Sequence, residues 1–286
     1  METFAINRII EMNKNIGWIN YEWKAINDID ISINDRGMKF SDGLFETILV
    51  KKNKPILLKE HLERFQKNFN ILNFKNNIDD YFLTEIIKEG ITRLNLKLNE
   101  YGSIRINYSR GINIDRSINI KNLDTKFNIK NLWIEFYQIN INFNSISAYI
   151  CNTEKRNEFS LLSQCKTFNY IQSIQALIEA NKYNYDDSLL LNTKNELCCG
   201  STFNILLKRN NKWFTPNKES GCLPGIMVKK LLELNIVKEA ILMPKFNKDD
   251  ILIAINSLTC KQIKKVNNLE FNSNFNTKYF WDILYK

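Results

Sequence analysis

Few residues in this chain can do chemistry. The 286 residues include one histidine, His61, which argues against a histidine-built metal site or a Ser-His-Asp triad. The six cysteines, Cys151, Cys165, Cys198, Cys199, Cys222 and Cys260, form no paired framework and read as free thiols. Cys198 and Cys199 are adjacent, so on a strand their side chains should point to opposite faces and could not chelate one ion together. No metal site is expected. An amine remains. Lys166 stands in Cys165-Lys166-Thr167-Phe168-Asn169-Tyr170, ahead of a helical run whose Ile171, Ile174, Leu177 and Ile178 share a face. A cation at a helix N-terminus opposes the dipole, a placement that lowers an amine's pKa, as a Schiff-base lysine requires. A second feature is Pro224-Gly225, where a turn leads into a helix. The first-turn amides of Ile226 and Met227 there make an anion site. Taken singly, each is more often ordinary: a surface lysine and a loop-to-helix junction.

The elements that must position these residues can be placed along the chain. Short strands are expected over residues 16–34, with a break at Asp35-Arg36-Gly37 and a turn at Ser41-Asp42-Gly43. Leu44–Val50 reads as a strand, residues 51–54 as a polar hairpin and Pro55–Leu58 as the return. Helices are expected at about 59–72, with Leu62, Phe65, Phe69 and Leu72 on one stripe, and at about 80–96. Strands follow at 103–108 and 132–137. Residues 140–147 carry no charge and little periodicity and read as a linker between a domain at 1–139 and another at 148–286. The second half contains strands near 147–152, 189–192, 196–199, 203–208, 213–215 and 251–255, a helix after Gly225 and an aromatic tail at Tyr279-Phe280-Trp281. The fold class expected is α+β with much antiparallel sheet.

At 44% apolar residues the chain can bury a sizeable core. Residues 1–15 hold no apolar run of signal-peptide length, and no stretch approaches the roughly 18 apolar residues that span a bilayer. A soluble cytoplasmic protein with no membrane partner is expected. The formal charge of +9 raises nucleic-acid binding, but the lysines are dispersed among asparagines without a basic stripe or zinc spacing. A solvated basic surface that steers small anions is the expectation, with no nucleic-acid partner.

Read together and in order, six fragments resemble a known family. They are Asp35-Arg36-Gly37, Asp42-Gly43-Leu44-Phe45-Glu46-Thr47, His61-Leu62-Glu63-Arg64-Phe65, Lys166-Thr167-Phe168-Asn169-Tyr170, Gly200-Ser201-Thr202-Phe203-Asn204-Ile205 and Leu223-Pro224-Gly225-Ile226. The set, covering roughly residues 16–260, resembles the class IV, fold type IV pyridoxal-phosphate enzymes, among them branched-chain and D-amino acid aminotransferases and 4-amino-4-deoxychorismate lyase. The resemblance implies a smaller N-terminal α/β sandwich domain, a C-terminal pseudobarrel domain, pyridoxal 5'-phosphate as cofactor and a homodimer. It implies that Lys166 holds the cofactor covalently and moves protons. By the same resemblance Arg64 grips the cofactor phosphate, the amides of Ile226 and Met227 behind Gly225 cap it, and Ser257 contacts it. Tyr170 would pack near the ring, or serve as a core aromatic. Glu46 and Thr47 would lie on a strand beside the pocket, and His61 would be a structural hydrogen-bonder.

One departure bears on mechanism. Family members place a glutamate before the Gly-Ser-Thr-x-Asn run to pair with the pyridine nitrogen. Here that position is Cys199, a weak hydrogen-bond partner as a thiol. Glu196 could substitute only if a bulge turned it inward. Val228 replaces a frequent arginine, and the usual proline after Ser257 is missing. The short chain and the absence of an arginine-histidine pair in the loop Ile112–Arg116 favour the lyase, whose two-carboxylate substrate suits Arg105, Arg110 and Arg116. The resemblance thus implies a lyase giving 4-aminobenzoate and pyruvate for folate synthesis. A branched-chain or D-amino acid aminotransferase, and a non-catalytic relative lacking the glutamate, stand as alternatives.

Overall fold

The computed structural model describes residues 15–74, 78–114, 116–120 and 128–284. The leader reading therefore falls almost wholly outside the described residues, as does Asp115 in the 112–116 loop. The chain divides into two compact units, residues 1–140 with 166–169, and residues 141–165 with 170–286.

In the first unit the strands are β1 (Ile16–Ile19), β2 (Glu22–Ala25), β3 (Gly43–Lys51), β4 (Lys54–Pro55), β5 (Tyr101–Ser109) and β6 (Leu132–Ile139). They form an antiparallel sheet in the order β2-β1-β6-β5-β3-β4. Helices α1 (Arg36–Phe40), α2 (Leu58–Ile71) and α3 (Asp80–Leu94) accompany it. Strand alternation sorts the side chains. Leu44, Ile48, Val50, Ile104, Ile106, Leu132, Ile134 and Phe136 build one core with Leu62, Phe65 and Phe69 of α2 and Leu83, Ile87 and Ile91 of α3. Each fully buried side chain of this kind contributes about 1.5–3 kcal/mol. Gly90 admits the ring of Phe136, which would lie 2.1 Å from any added Cβ, so a glycine lets α3 approach β6. Asp79 caps α3 by accepting from the Tyr81 amide at 2.9 Å.

Two expectations here are corrected. Residues 26–34 form a 3-10 turn and loop rather than strand, and the return strand ends at Pro55 because Leu57 adopts a left-handed conformation and α2 starts at once. Asp35-Arg36-Gly37 starts α1, with the Asp35 carboxylate accepting from the Gly37 amide at 2.6 Å and from Ser109 Oγ at 2.6 Å.

The second unit contains β7 (Ile146–Arg156), α4 (Ile171–Lys182), β8 (Asp187–Asn192), β9 (Leu197–Gly200), β10 (Asn204–Arg209), β11 (Lys212–Pro216), α5 (Ile226–Glu233), β12 (Val237–Ala240), β13 (Ile251–Asn256), β14 (Thr259–Val266), β15 (Leu269–Glu270) and α6 (Thr277–Leu284). Its sheet runs β12-β11-β10-β13-β14-β7-β8-β9, with β15 on β14. Strands β9 and β10 stand five spacings apart in this order, about 24 Å if the sheet were flat. Gly200 and Asn204 are four residues apart, a reach of at most about 14 Å. The sheet must therefore curl on itself, which is the pseudobarrel of the sequence reading. β12 and β14 were not anticipated, and the chain enters β7 at Ile146, inside the expected linker.

Helix α4 turns most of its apolar residues outward. Ile171, Ile174 and Ile178 are 61%, 47% and 42% exposed, and the buried positions are Ala176 and Ala180. Glu179 sets this rotation, its carboxylate accepting from the amides of Asn152 and Thr153 on β7 at 3.1 Å each. The two alanines let the helix lie close to the sheet.

Candidate active site

Lys166 belongs to the first unit. Its carbonyl accepts from the Phe45 amide at 3.0 Å, and the Phe168 amide donates to the Gly43 carbonyl at 3.0 Å, so this segment pairs with the start of β3. The amine stands 4.1 Å from the centre of the Phe45 ring, and the Arg105 guanidinium stands 3.7 Å from the same centre. Burial drives the Lys166 pKa down to about 7. Glu46 opposes that fall, while Arg64 and Arg105 add to it. The expected cause was the helix dipole, but α4 begins at Ile171, five residues on. Desolvation and two guanidinium groups depress the amine instead.

Beneath it lies a charged triad. Glu46 is fully buried on the helix-facing side of β3, and α2 brings His61 and Arg64 to it one turn apart. Arg64 donates from Nε to Oε1 and from Nη2 to Oε2, both at 2.7 Å. His61 Nδ1 lies 2.7 Å from Oε2 and must carry the proton, because the carboxylate only accepts. Burial raises the Glu46 pKa, but the Arg64 charge and the hydrogen bonds from His61 and Arg64 outweigh it and hold the carboxyl at about 2. Burial pushes His61 down despite Glu46, so this histidine is a neutral hydrogen-bond donor. Two N–H groups of Arg64 are thereby committed to Glu46.

The opposite face of the sheet carries a polar network that sequence reasoning missed. Arg105 Nε donates to Asn107 Oδ1 at 2.8 Å, and Asn107 Nδ2 donates to Glu135 Oε1 at 2.9 Å. Glu135 also accepts from Trp133 Nε1 at 3.1 Å and from Tyr137 Oη at 2.7 Å. The signal was the alternation of Arg105 and Asn107 on β5 with Trp133, Glu135 and Tyr137 on β6. Thr47 pairs with Arg105 across the ladder and shares this face. Arg110 takes a different role: its guanidinium donates to Asp42 at 3.0 Å and to the carbonyls of Leu72 and Asn73, and stacks 3.9 Å over Phe74. Arg36 likewise ties Asp42 to the Ile118 carbonyl. These two arginines fasten loops. Arg116 is exposed.

In the second unit a second cluster forms. Gly225 is the N-cap of α5, with no side chain closing the helix end, so the amides of Ile226 and Met227 begin an open first turn. Asn204 fixes the approach: its Nδ2 donates to the Leu223 carbonyl at 2.9 Å, and its Oδ1 would sit 1.9 Å from any Cβ at residue 225. Asn256 bonds the Thr202 carbonyl at 3.1 Å and caps the turn holding Ser257. The stretch 200–204, the 223–227 turn and Ser257 are thus gathered in one place. Tyr170 is the residue before α4, its carbonyl accepting from the Ile174 amide.

The cysteine pair corrects the sequence reading. Leu190 pairs with Cys199 and Leu191 with Leu197, so Cys198 is the extra residue of a β-bulge. The bulge breaks the alternation, and both thiols sit in one buried cluster that includes Cys151, Cys222 and Ala176. Glu196 does not turn inward, since its carboxylate accepts from Asn192 Nδ2 at 2.8 Å.

Residues 43–266 match the family model described as amino-transferase class IV. A branched-chain-amino-acid aminotransferase-like protein of Arabidopsis thaliana is 26% identical over 80% of this chain and 40% of its own length. A protein of Aquifex aeolicus provisionally named branched-chain-amino-acid aminotransferase is 26% identical over 70% of this chain and 65% of its own length. The chain thus spans less than two thirds of these two relatives. A solved structure from Legionella pneumophila, provisionally named 4-amino-4-deoxychorismate lyase, is 26% identical with a TM-score of 0.75, covering 90% of this chain and 94% of that one. The Escherichia coli branched-chain amino acid aminotransferase, at 18% identity and a TM-score of 0.79 over 94% of this chain and 92% of its own, shares the fold. The chain belongs to the class IV aminotransferase family, pyridoxal-phosphate-dependent enzymes of fold type IV.

Proposed function

We propose that the protein is a pyridoxal-phosphate-dependent lyase converting 4-amino-4-deoxychorismate to 4-aminobenzoate and pyruvate, a supplier of folate synthesis. The residues fit the cofactor. A lysine whose pKa lies at about 7 is half unprotonated at neutral pH and can form a covalent bond to an aldehyde. The open first turn behind Gly225 suits a phosphate, with Ser257 beside the stretch that positions it. Arg64 and Tyr170 are proposed as further cofactor contacts, as is Cys199. When bound, the cofactor supplies an electron sink for the carbon that bears the substrate amine.

The observation that carries the lyase reading is Arg105, held over Phe45 beside the Lys166 amine on a face lined with polar groups. A substrate with two carboxylates needs fixed positive charge there, and Thr47 and Glu46 shape the same strand. Lys166 would take the proton from the amine-bearing ring carbon. The carbon–oxygen bond to the enolpyruvyl group then breaks, the ring becomes aromatic, and the departing enolpyruvate gains a proton at its methylene carbon to become pyruvate. Near end-to-end coverage of the Legionella protein supports this choice. The names of the curated relatives favour a second reading, an aminotransferase on branched-chain or D-amino acids; a Staphylococcus aureus D-alanine aminotransferase is 32% identical over 33% of this chain and of its own length. Loaded enzyme incubated with aminodeoxychorismate should release 4-aminobenzoate and pyruvate in equal amounts. No release, with amino acids instead converting the cofactor to its amine form, would establish the aminotransferase.

The exposed row Ile171, Ile174 and Ile178 is proposed as part of a homodimer contact. Sedimentation should give a dimer that Ile174→Asp converts to monomer; a monomeric wild type would refute it. The six free cysteines fit a reducing, cytoplasmic setting.

A further inference from the structure

Glu135 takes no part in the chemistry proposed above, yet the first unit is built to hold it. It stands on β6 directly opposite Arg105 of β5, and Asn107, two residues along β5, faces Trp133. Its carboxylate gathers three donors: Asn107 Nδ2 at 2.9 Å and Trp133 Nε1 at 3.1 Å on Oε1, and Tyr137 Oη at 2.7 Å on Oε2. Burial, and then the bond to Glu135, raise the Tyr137 pKa, so this hydroxyl keeps its proton toward the carboxylate. Asn107 is 1% exposed and its amide is engaged at both ends: Oδ1 accepts from Arg105 Nε at 2.8 Å, and Nδ2 donates to Glu135. The direction of this chain is forced. A guanidinium N–H only donates and a carboxylate only accepts, so turning the amide over would set donor against donor and acceptor against acceptor in a buried place. Glu135 thus selects which end of Asn107 faces Arg105. The Asn107 oxygen in turn holds the guanidinium 3.7 Å from the centre of the Phe45 ring, and the Lys166 amine lies 4.1 Å from that centre.

We propose that Glu135 is a positioning residue: through Asn107 it aims the Arg105 guanidinium at the place beside Lys166 where a substrate carboxylate docks. The docking half rests on the reading above that gives Arg105 a substrate carboxylate, and the aiming half on the hydrogen bonds alone. Fixing Nε sets the plane in which both Nη groups lie, and so the direction from which a carboxylate can be gripped. A long side chain already held this way loses less freedom when it binds. The effect on Lys166 separates aiming from bare charge by its sign. A carboxylate stabilises a nearby ammonium, so removing Glu135 merely as a charge can only lower the Lys166 pKa. Burial is the main cause of that low pKa; Glu46 opposes it, and Arg64 and then Arg105 add to it. Removing Glu135 as the aim of Arg105 therefore raises the Lys166 pKa.

The test has two arms. In cofactor-free protein, acetylation of Lys166 by acetic anhydride is followed against pH by mass spectrometry. Wild type is compared with Glu135→Met, Glu135→Gln, Asn107→Leu, Arg105→Met and the double variant Glu135→Met with Arg105→Met. Glu135→Met should raise the midpoint by about half a unit or more, as should Asn107→Leu, which breaks the same chain with a side chain of similar shape. Glu135→Gln keeps an oxygen toward Asn107 and Trp133, with the Tyr137 hydroxyl turning to accept, and should not raise it. Arg105→Met should raise it as well, and adding Glu135→Met should raise it no further, because nothing is left to aim. A midpoint unmoved or lowered in both Glu135→Met and Asn107→Leu, an equal rise in Glu135→Gln, or a further rise in the double variant overturns the positioning. In the second arm, loaded Glu135→Met should show KM for aminodeoxychorismate raised about tenfold with kcat falling less than about threefold, and Glu135→Gln should recover most of the loss. A fall in kcat at unchanged KM overturns the docking half. A wild type that releases no 4-aminobenzoate refutes the lyase reading, while the first arm still decides the positioning.

Discussion

Replacing Glu46 with glutamine should weaken the first unit by about 3 kcal/mol at neutral pH, and two independent lines reach that figure. Glu46 titrates at about 2 rather than 4.5, a shift of about 2.5 units, and each unit is worth about 1.4 kcal/mol. Removing one partner of a buried ion pair costs about 3–5 kcal/mol, because it strands the other charge. Arg64, 9% exposed, would be that stranded charge, and His61 would face an amide in place of a carboxylate. The folded carboxyl binds its proton more weakly than the unfolded one. Its stabilisation is therefore complete above about pH 4.5 and is lost as pH falls toward about 2. Urea unfolding of wild type and Glu46→Gln, followed by tryptophan fluorescence, should show the gap at pH 7 and its closure on acidification. Trp18, Trp23 and Trp133 report from this unit. Because Glu46 holds the Lys166 pKa up, the variant should also lower that pKa below about 7. A stability loss under about 1 kcal/mol at pH 7, or a gap that does not shrink with acid, would refute the reasoning.

Arg105→Met removes a charge that depresses the Lys166 amine, so the pH midpoint for borohydride fixation of cofactor should rise, and KM for aminodeoxychorismate should rise more than kcat falls. An unchanged midpoint would remove Arg105 from the site. Gly225→Ala drives a methyl into Asn204 Oδ1, displacing the side chain that holds the Leu223 carbonyl. Cofactor affinity should fall about tenfold or more, with about 1–3 kcal/mol lost in stability. Equilibrium titration of cofactor checks this, and wild-type affinity in the variant would show that the turn does not serve the phosphate.

Much of the scaffold was legible because its signals are local. Alternation marked β3, β5 and β6, the stripe Leu62, Phe65, Phe69 marked α2, and Asn210-Asn211, both left-handed, mark a two-residue hairpin. Lys166 could be singled out from the ordered motifs. The reason for its low pKa could not, since burial under Phe45 and beside Arg64 and Arg105 joins segments sixty to over a hundred residues apart. Cys198 and Cys199 were misplaced for a related reason: a bulge is set by pairing with β8, which the strand's own residues do not reveal. For α4, periodicity says only which residues share a face, and the anchor of Glu179 on β7 decides which face is covered. The polar network around Glu135 went unread because alternate polar residues on a strand ordinarily mean solvent.

The central claim is that Lys166 is the covalent holder of the cofactor. Protein incubated with pyridoxal phosphate, reduced with borohydride and digested should yield one pyridoxyl-modified peptide carrying Lys166, formed with a midpoint near pH 7 and absent from Lys166→Ala. Modification of another lysine, or none, would contradict the account.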